Sequence, residues 1–234
     1  MAAVNEWIAR EYFETQGFLV AQPVKHAGTG RRRRPEDDIS LVVARPEARA
    51  HAIPETAVWR SADLAGVARA AVHVQGGHSD PLYPSTFEAT PEIARFARPE
   101  ARRGMARRFG TNEFAMILCV PRLPAAGETR DKCVARIRES GVDGIIEFDT
   151  LLGELIHSAD IRKHYEKSDL LQILRLLKIY NLIAADQLEL FAPSSRRRIR
   201  RPSASRQAAT DTKADKTTPP SSAEACAAEE AKKA

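Results

Sequence analysis

A chain of 234 residues with 43% apolar and 29% charged side chains can bury one substantial core, and none of its apolar runs is long enough to span a bilayer. The net charge of +5 suggests a polyanion partner until it is partitioned along the chain. About 26 Lys and Arg meet about 26 Asp and Glu up to position 192, and about 10 meet about 5 beyond it, so the folded body is near neutral and the surplus lies in the tail.

The opening MAAVNEWIAREYFE carries acids and no apolar signal core, which predicts a chain without a secretory leader. Cys119, Cys133 and Cys226 are odd in number and match no zinc or disulfide spacing, so a reducing, cytoplasmic location is expected.

In chain order, Asn5–Gln16 sets Trp7, Ile8, Tyr12 and Phe13 at helical spacing, with Gly17 as the stop. Phe18–Val24 reads as a strand, and a polar segment to Pro35 follows. Asp38–Ala44 is a second strand around Ile39, Leu41, Val42 and Val43. Arg45–Ala57 reads as a loop broken by Pro46 and Pro54. Ala71, Val72 and Val74 form a third strand that Gly76 and Gly77 end. A loop through Ser79–Pro84 leads to helical material from Pro91 to Arg108, broken near Pro99.

Phe114–Val120 is an almost continuous apolar run, the pattern of a strand buried on both faces. A helix over Asp131–Ser140, a strand over Gly144–Phe148 and helices over Thr150–Ala159 and Asp169–Ile183 complete the domain. Alternating strands and helices predict an α/β fold, a mixed sheet covered by helices. The Leu170–Ile183 stretch is apolar around more than half its circumference, which suits a core helix first and a homodimer or protein-partner surface second. From Pro193 the aromatics vanish and Ser, Thr, Ala, Pro, Lys and Glu dominate, so residues 193–234 are expected to be a disordered basic tail after a domain of residues 1–192.

Three stretches carry the functional lead: NEWIAREYFETQGFLV, PEDDISLVVA and RAAVHVQGGH. Together they resemble the αβββαβ core of the restriction-endonuclease-like nucleases, the PD-(D/E)XK superfamily, over roughly Asn5–His78. The segment Phe114–Phe148 can supply the later helix and strand. The resemblance implies a cleft holding Glu6 from the helix, Asp38 (or Asp37) at the second strand, and His73 and Gln75 in the Glu and Lys slots of the third. Magnesium-assisted phosphodiester hydrolysis needs several carboxylates around a hard ion and a nearby Lys. Here Ser40 replaces a second Asp, His73 the Glu and Gln75 the Lys. The expectation is a nuclease-like domain that binds DNA or RNA without efficient cleavage.

Two other readings follow from the residues. If the Gly76-Gly77 turn returns His78 toward His73 and Asp38, the three could hold Zn or Mn rather than Mg in a divergent metal-dependent hydrolase. The plainer reading makes His73 a buried or edge histidine and His78 a turn residue. Alternatively, the fold could serve as a protein-interaction module through its terminal helix.

Arg31, Arg32, Arg33 and Arg34 run directly before the acidic strand start, where they could contact phosphates. Arg95, Arg98, Arg102, Arg103, Arg107 and Arg108 fit a solvated helical face paired with Glu92 and Glu100. The tail's Arg196–Arg201 run reads as a nonspecific polyanion-binding extension. Phosphate-binding Gly-rich loops, dinucleotide fingerprints, nucleophile elbows and paired zinc-knuckle cysteines are missing from the sequence.

Overall fold

The computed structural model describes residues 2–23, 38–48 and 50–183. The Arg31–Arg34 run, Asp37 and the tail lie outside the described residues. Helix α1 (Ala2–Thr15) precedes strands β1 (Leu19–Ala21), β2 (Leu41–Ala44) and β3 (Arg69–Val74). Helices α2 (Pro84–Ala89), α3 (Pro91–Phe96) and α4 (Pro99–Phe109) lead to β4 (Ala115–Val120). Then come α5 (Glu128–Glu139), β5 (Gly144–Glu147), α6 (Phe148–Ser158) and α7 (Asp169–Ile179).

The strands form one five-stranded mixed sheet in the order β1-β2-β3-β4-β5. Strand β2 runs antiparallel to both β1 and β3, whereas β3, β4 and β5 are mutually parallel. Side chains alternate across a strand, and this alternation divides the core in two. Leu41, Val43, Val72, Val74, Ile117, Cys119 and Ile146 face Tyr12 and Phe13 of α1, Leu151 and Leu155 of α6, and Leu171 and Leu174 of α7. Val42, Ala71, Met116, Leu118, Val120 and Ile145 face the other way, against residues of α2 to α5 such as Phe87, Phe96, Met105 and Ile137. Strands β4 and β5 are buried throughout, as their unbroken apolar runs require.

A strap crosses the far edge of β5. The Trp59 N–H donates to the Ile145 carbonyl at 2.7 Å, and the Ile145 N–H donates to Ala57 at 2.8 Å. The fully buried Trp59 ring lies flat on Gly144, where an added Cβ would come within 2.3 Å of ring carbons. A glycine at that position is therefore a packing requirement.

Several boundaries differ from the sequence reading. Strand β2 begins at Leu41 rather than Asp38, and at its entry the Asp38 side chain is taken by Arg95 and the Ser40 hydroxyl by the Val74 N–H. Helix α2 begins at Pro84, the last residue of the expected loop, since a proline fits the first position of a helix. Trp7, expected on the inward face of α1, is 38% exposed, while Asn5, Ala9, Tyr12 and Phe13 turn inward. Those four follow the i, i+4, i+7, i+8 stripe that a core-facing helix presents.

Candidate functional site

The antiparallel register places the entry of β2 beside the carboxyl end of β3. Leu41 pairs with Val72, the Ser40 N–H donates to the Val72 carbonyl at 2.9 Å, and the Val74 N–H donates to Ser40 Oγ at 3.2 Å. Asp38 and His73 are thereby held together on the face covered by α2 to α5.

The Asp38 carboxylate is 1% exposed. Arg95 of α3 grips both of its oxygens, Nε donating to Oδ2 at 2.6 Å and Nη2 to Oδ1 at 3.1 Å. Such a two-point fork is the strong geometry for an arginine–carboxylate pair. The pairing raises the Arg95 pKa above its ordinary value, with Glu92 contributing from one turn earlier at 3.5 Å. A divalent ion needs the same carboxylate oxygens that Arg95 already occupies.

His73 lies behind this pair. Its Nδ1 donates to the Asp38 carbonyl at 2.5 Å, and the ring stacks on Phe96 at 5.4 Å. A carbonyl only accepts, so Nδ1 carries the proton and Nε2 holds the lone pair of the neutral ring. Burial pushes the imidazole pKa down, and the Asp38 carbonyl opposes that only in part. Nε2 is buried without a hydrogen bond of ordinary length. Gln75, two residues on and on the same sheet face, is a neighbour of the ring but leaves that bond open.

The residues beyond the strand diverge. His78 returns to the opposite face, where its Nε2 meets Asn5 Oδ1 at 3.0 Å and its ring stands edge-on to Phe148 at 4.7 Å. Glu6 belongs to α1, which packs against that same opposite face. The set of Asp38, His73 and His78 proposed from sequence as metal ligands therefore does not converge. Among the described residues no cluster of three His, Cys, Asp or Glu is placed to hold a metal ion. Neither the magnesium carboxylates of a nuclease nor a two-histidine site fits these positions.

On the Asp38–His73 face, the carboxyl ends of β3 and β4 border a cleft of about 250 Å³. Gln75, Ser79, Asp80 and Thr86 give it polar walls, and Leu82 and Pro121 give it apolar ones.

The arginines of α3 and α4 behave only partly as a solvated face. Arg103 pairs with Glu100 at 2.7 Å, as expected, but Arg95 takes Asp38 and Arg102 takes Asp143. Sequence reasoning missed both long-range pairs, because nothing at 57 or 41 residues' separation marks the partner. It also missed Glu147, which ends β5 by accepting from Arg130 Nη2 at 2.6 Å and from the Leu123 N–H at 2.7 Å. No known protein family, curated protein or solved structure matches this chain.

Proposed function

We propose that this domain binds nucleic acid on a nuclease-like scaffold and does not cleave it. The observation that carries this reading is the state of Asp38: this acid at the expected metal position is buried, with both oxygens engaged by Arg95. The element order of one helix, three strands and then helix and strand agrees with the scaffold. Binding draws its charge from Arg31–Arg34, which the chain ties between Pro23, just past β1, and Asp38, at the same end of the sheet as His73. Arg34 precedes Asp38 by four residues in the sequence.

The test is incubation of the full chain with single- and double-stranded DNA and RNA in Mg²⁺ or Mn²⁺, with binding followed in parallel. Retention without cleavage, weakened by Arg31–Arg34→Ala and by rising salt, is the expected result. Cleavage abolished by Asp38→Ala, or absence of binding at low salt, overturns the proposal.

A second reading has its own observation. On α7, Ile173 is 50% and Leu176 41% exposed, and Tyr180 just beyond is 71% exposed. These three fall on one helical face, the kind of surface a protein partner covers. Loss of nucleic-acid binding together with self-association sensitive to Leu176→Glu would favour this interaction module.

A further inference from the structure

The cleft at the ends of β3 and β4 has a chemistry of its own. Its polar side chains are an amide (Gln75), two hydroxyls (Ser79, Thr86) and a carboxylate (Asp80), and among the described residues no Lys, Arg or His lines it. A pocket without a cation is poorly suited to a phosphate, and a single carboxylate is poorly suited to a divalent ion. Pro81, Leu82 and Pro121 add apolar surfaces against which a planar group can lie. The volume is below the range of pockets for drug-sized ligands, which limits the occupant to roughly one ring system. The place is the crevice outside the carboxyl ends of parallel strands, where open α/β sheets hold their ligands.

The unsatisfied His73 Nε2 supplies an independent pointer. It is a buried acceptor on the sheet face from which Gln75 reaches the cleft. A primary amide has one N–H on the same edge as its oxygen and one on the far side. If the far N–H closes onto His73 Nε2, the remaining edge, one acceptor beside one donor, is turned to the cleft. That edge is the pattern with which Gln and Asn read adenine. Asp80 adds a pure acceptor of the kind that takes a hydrogen bond from an exocyclic amine.

We propose that this cleft receives a single unstacked, amino-bearing nucleobase, adenine or cytosine, read by Gln75 and Asp80, with His73 as the positioning residue behind Gln75. The inference deepens the nucleic-acid-binding reading and rests on it for its biological ligand. The cleft supplies preference among bases.

Two measurements separate this inference from the reading it rests on. Saturation-transfer NMR of the full chain with adenosine, cytidine and uridine reads the cleft alone. Anisotropy with end-labelled single-stranded oligo-dA, oligo-dC and oligo-dT reads the whole interface. Wild type is expected to show transfer from adenosine or cytidine and not from uridine, and to prefer the corresponding oligo-dA or oligo-dC over oligo-dT by about tenfold. Gln75→Leu and Thr86→Trp, the latter filling the cleft from an exposed helix position, should both lose the nucleoside signal and the preference. They should leave oligo-dT affinity within about threefold of wild type. His73→Phe should lower the base preference while leaving oligo-dT affinity unchanged.

No nucleoside transfer in wild type, equal transfer from uridine, or an unchanged preference in both cleft variants overturns the inference. Nucleoside transfer without oligonucleotide binding keeps the cleft and overturns the nucleic-acid reading.

Discussion

Replacing Arg95 by Met tests whether Asp38 is a locked structural charge or an available ligand. Methionine keeps most of the apolar stem and removes the fork that holds both carboxylate oxygens. Asp38 is 1% exposed and cannot turn to water without moving its backbone, whose carbonyl is held by His73. Removing one member of a buried pair costs about 3–5 kcal/mol, because the other charge is left buried and uncompensated. Arg95 is itself 22% exposed, so some water reaches the site and the low end, about 3 kcal/mol, is expected. For a domain of this size that corresponds to a fall in Tm of about 6–12 °C.

Asp38→Asn is the informative partner. It removes the buried charge and leaves Arg95 partly hydrated and able to donate to the amide oxygen, at a cost of about 1–2 kcal/mol. The double variant should be more stable than the sum of the two losses implies, since the two groups share one interaction. Urea unfolding of the four proteins gives the cycle. A loss under about 1 kcal/mol for Arg95→Met, or strict additivity, would refute the argument and return Asp38 to the candidates for metal binding.

Other consequences can be checked separately. His73 is held neutral by burial with its pKa below the ordinary value, so the unfolded chain takes up its proton first as pH falls. Stability should therefore decline as pH drops below about 6.5, by up to about 1.4 kcal/mol per pH unit from this group. His73→Phe should flatten that limb in pH-dependent melts, whereas an unchanged limb would show that His73 does not control it. Burial raises the Cys119 thiol pKa and pushes Cys133 up to about 11, so both should resist a thiol reagent at pH 8 until the domain unfolds. Rapid modification of either in the native protein would contradict this burial. Gly144→Ala should cost about 1–3 kcal/mol, because the Trp59 ring has to leave its bed on the strand. A neutral effect in thermal melts would mean that the contact yields freely.

The elements were legible wherever a periodicity ran unbroken. The apolar runs at Ala115–Val120 and Gly144–Glu147 carry their double-sided burial openly, and α7 follows from its leucine spacing with Ser168 capping Leu171. Pro84 shows the limit: a proline can stop a helix or open one, and here it opens α2.

The candidate site was legible as a list and not as a geometry. Of Glu6, Asp38, His73 and Gln75, the structure brings Asp38, at the entry of β2, against His73 of β3, a meeting that follows from the pairing of β2 with β3, whereas Glu6 belongs to a helix on the opposite face. That Arg95 would close Asp38 depends on where α3 crosses the sheet, a tertiary fact with no local signature. The direction of His78 depended on the two-glycine turn. Gly77 adopts φ +85°, which side chains other than glycine rarely tolerate, and the turn carries His78 to Asn5 instead of back to His73.

The strap over β5 governs how the sheet can meet other chains. An uncovered strand edge is a template for pairing with a second molecule, the route to swapped dimers and fibrils. Residues 57–59 occupy that template on β5, using both hydrogen-bonding groups of Ile145, and the bulk of Trp59 keeps them seated on Gly144. At the opposite edge, β1 is three residues long, too short to recruit a partner strand by backbone bonds alone. Growth of the sheet from one molecule into the next is therefore blocked on one side by a covering segment and starved on the other by length. The exposed side of α7 with Ile173 and Leu176 offers another protein side chains rather than backbone to bind.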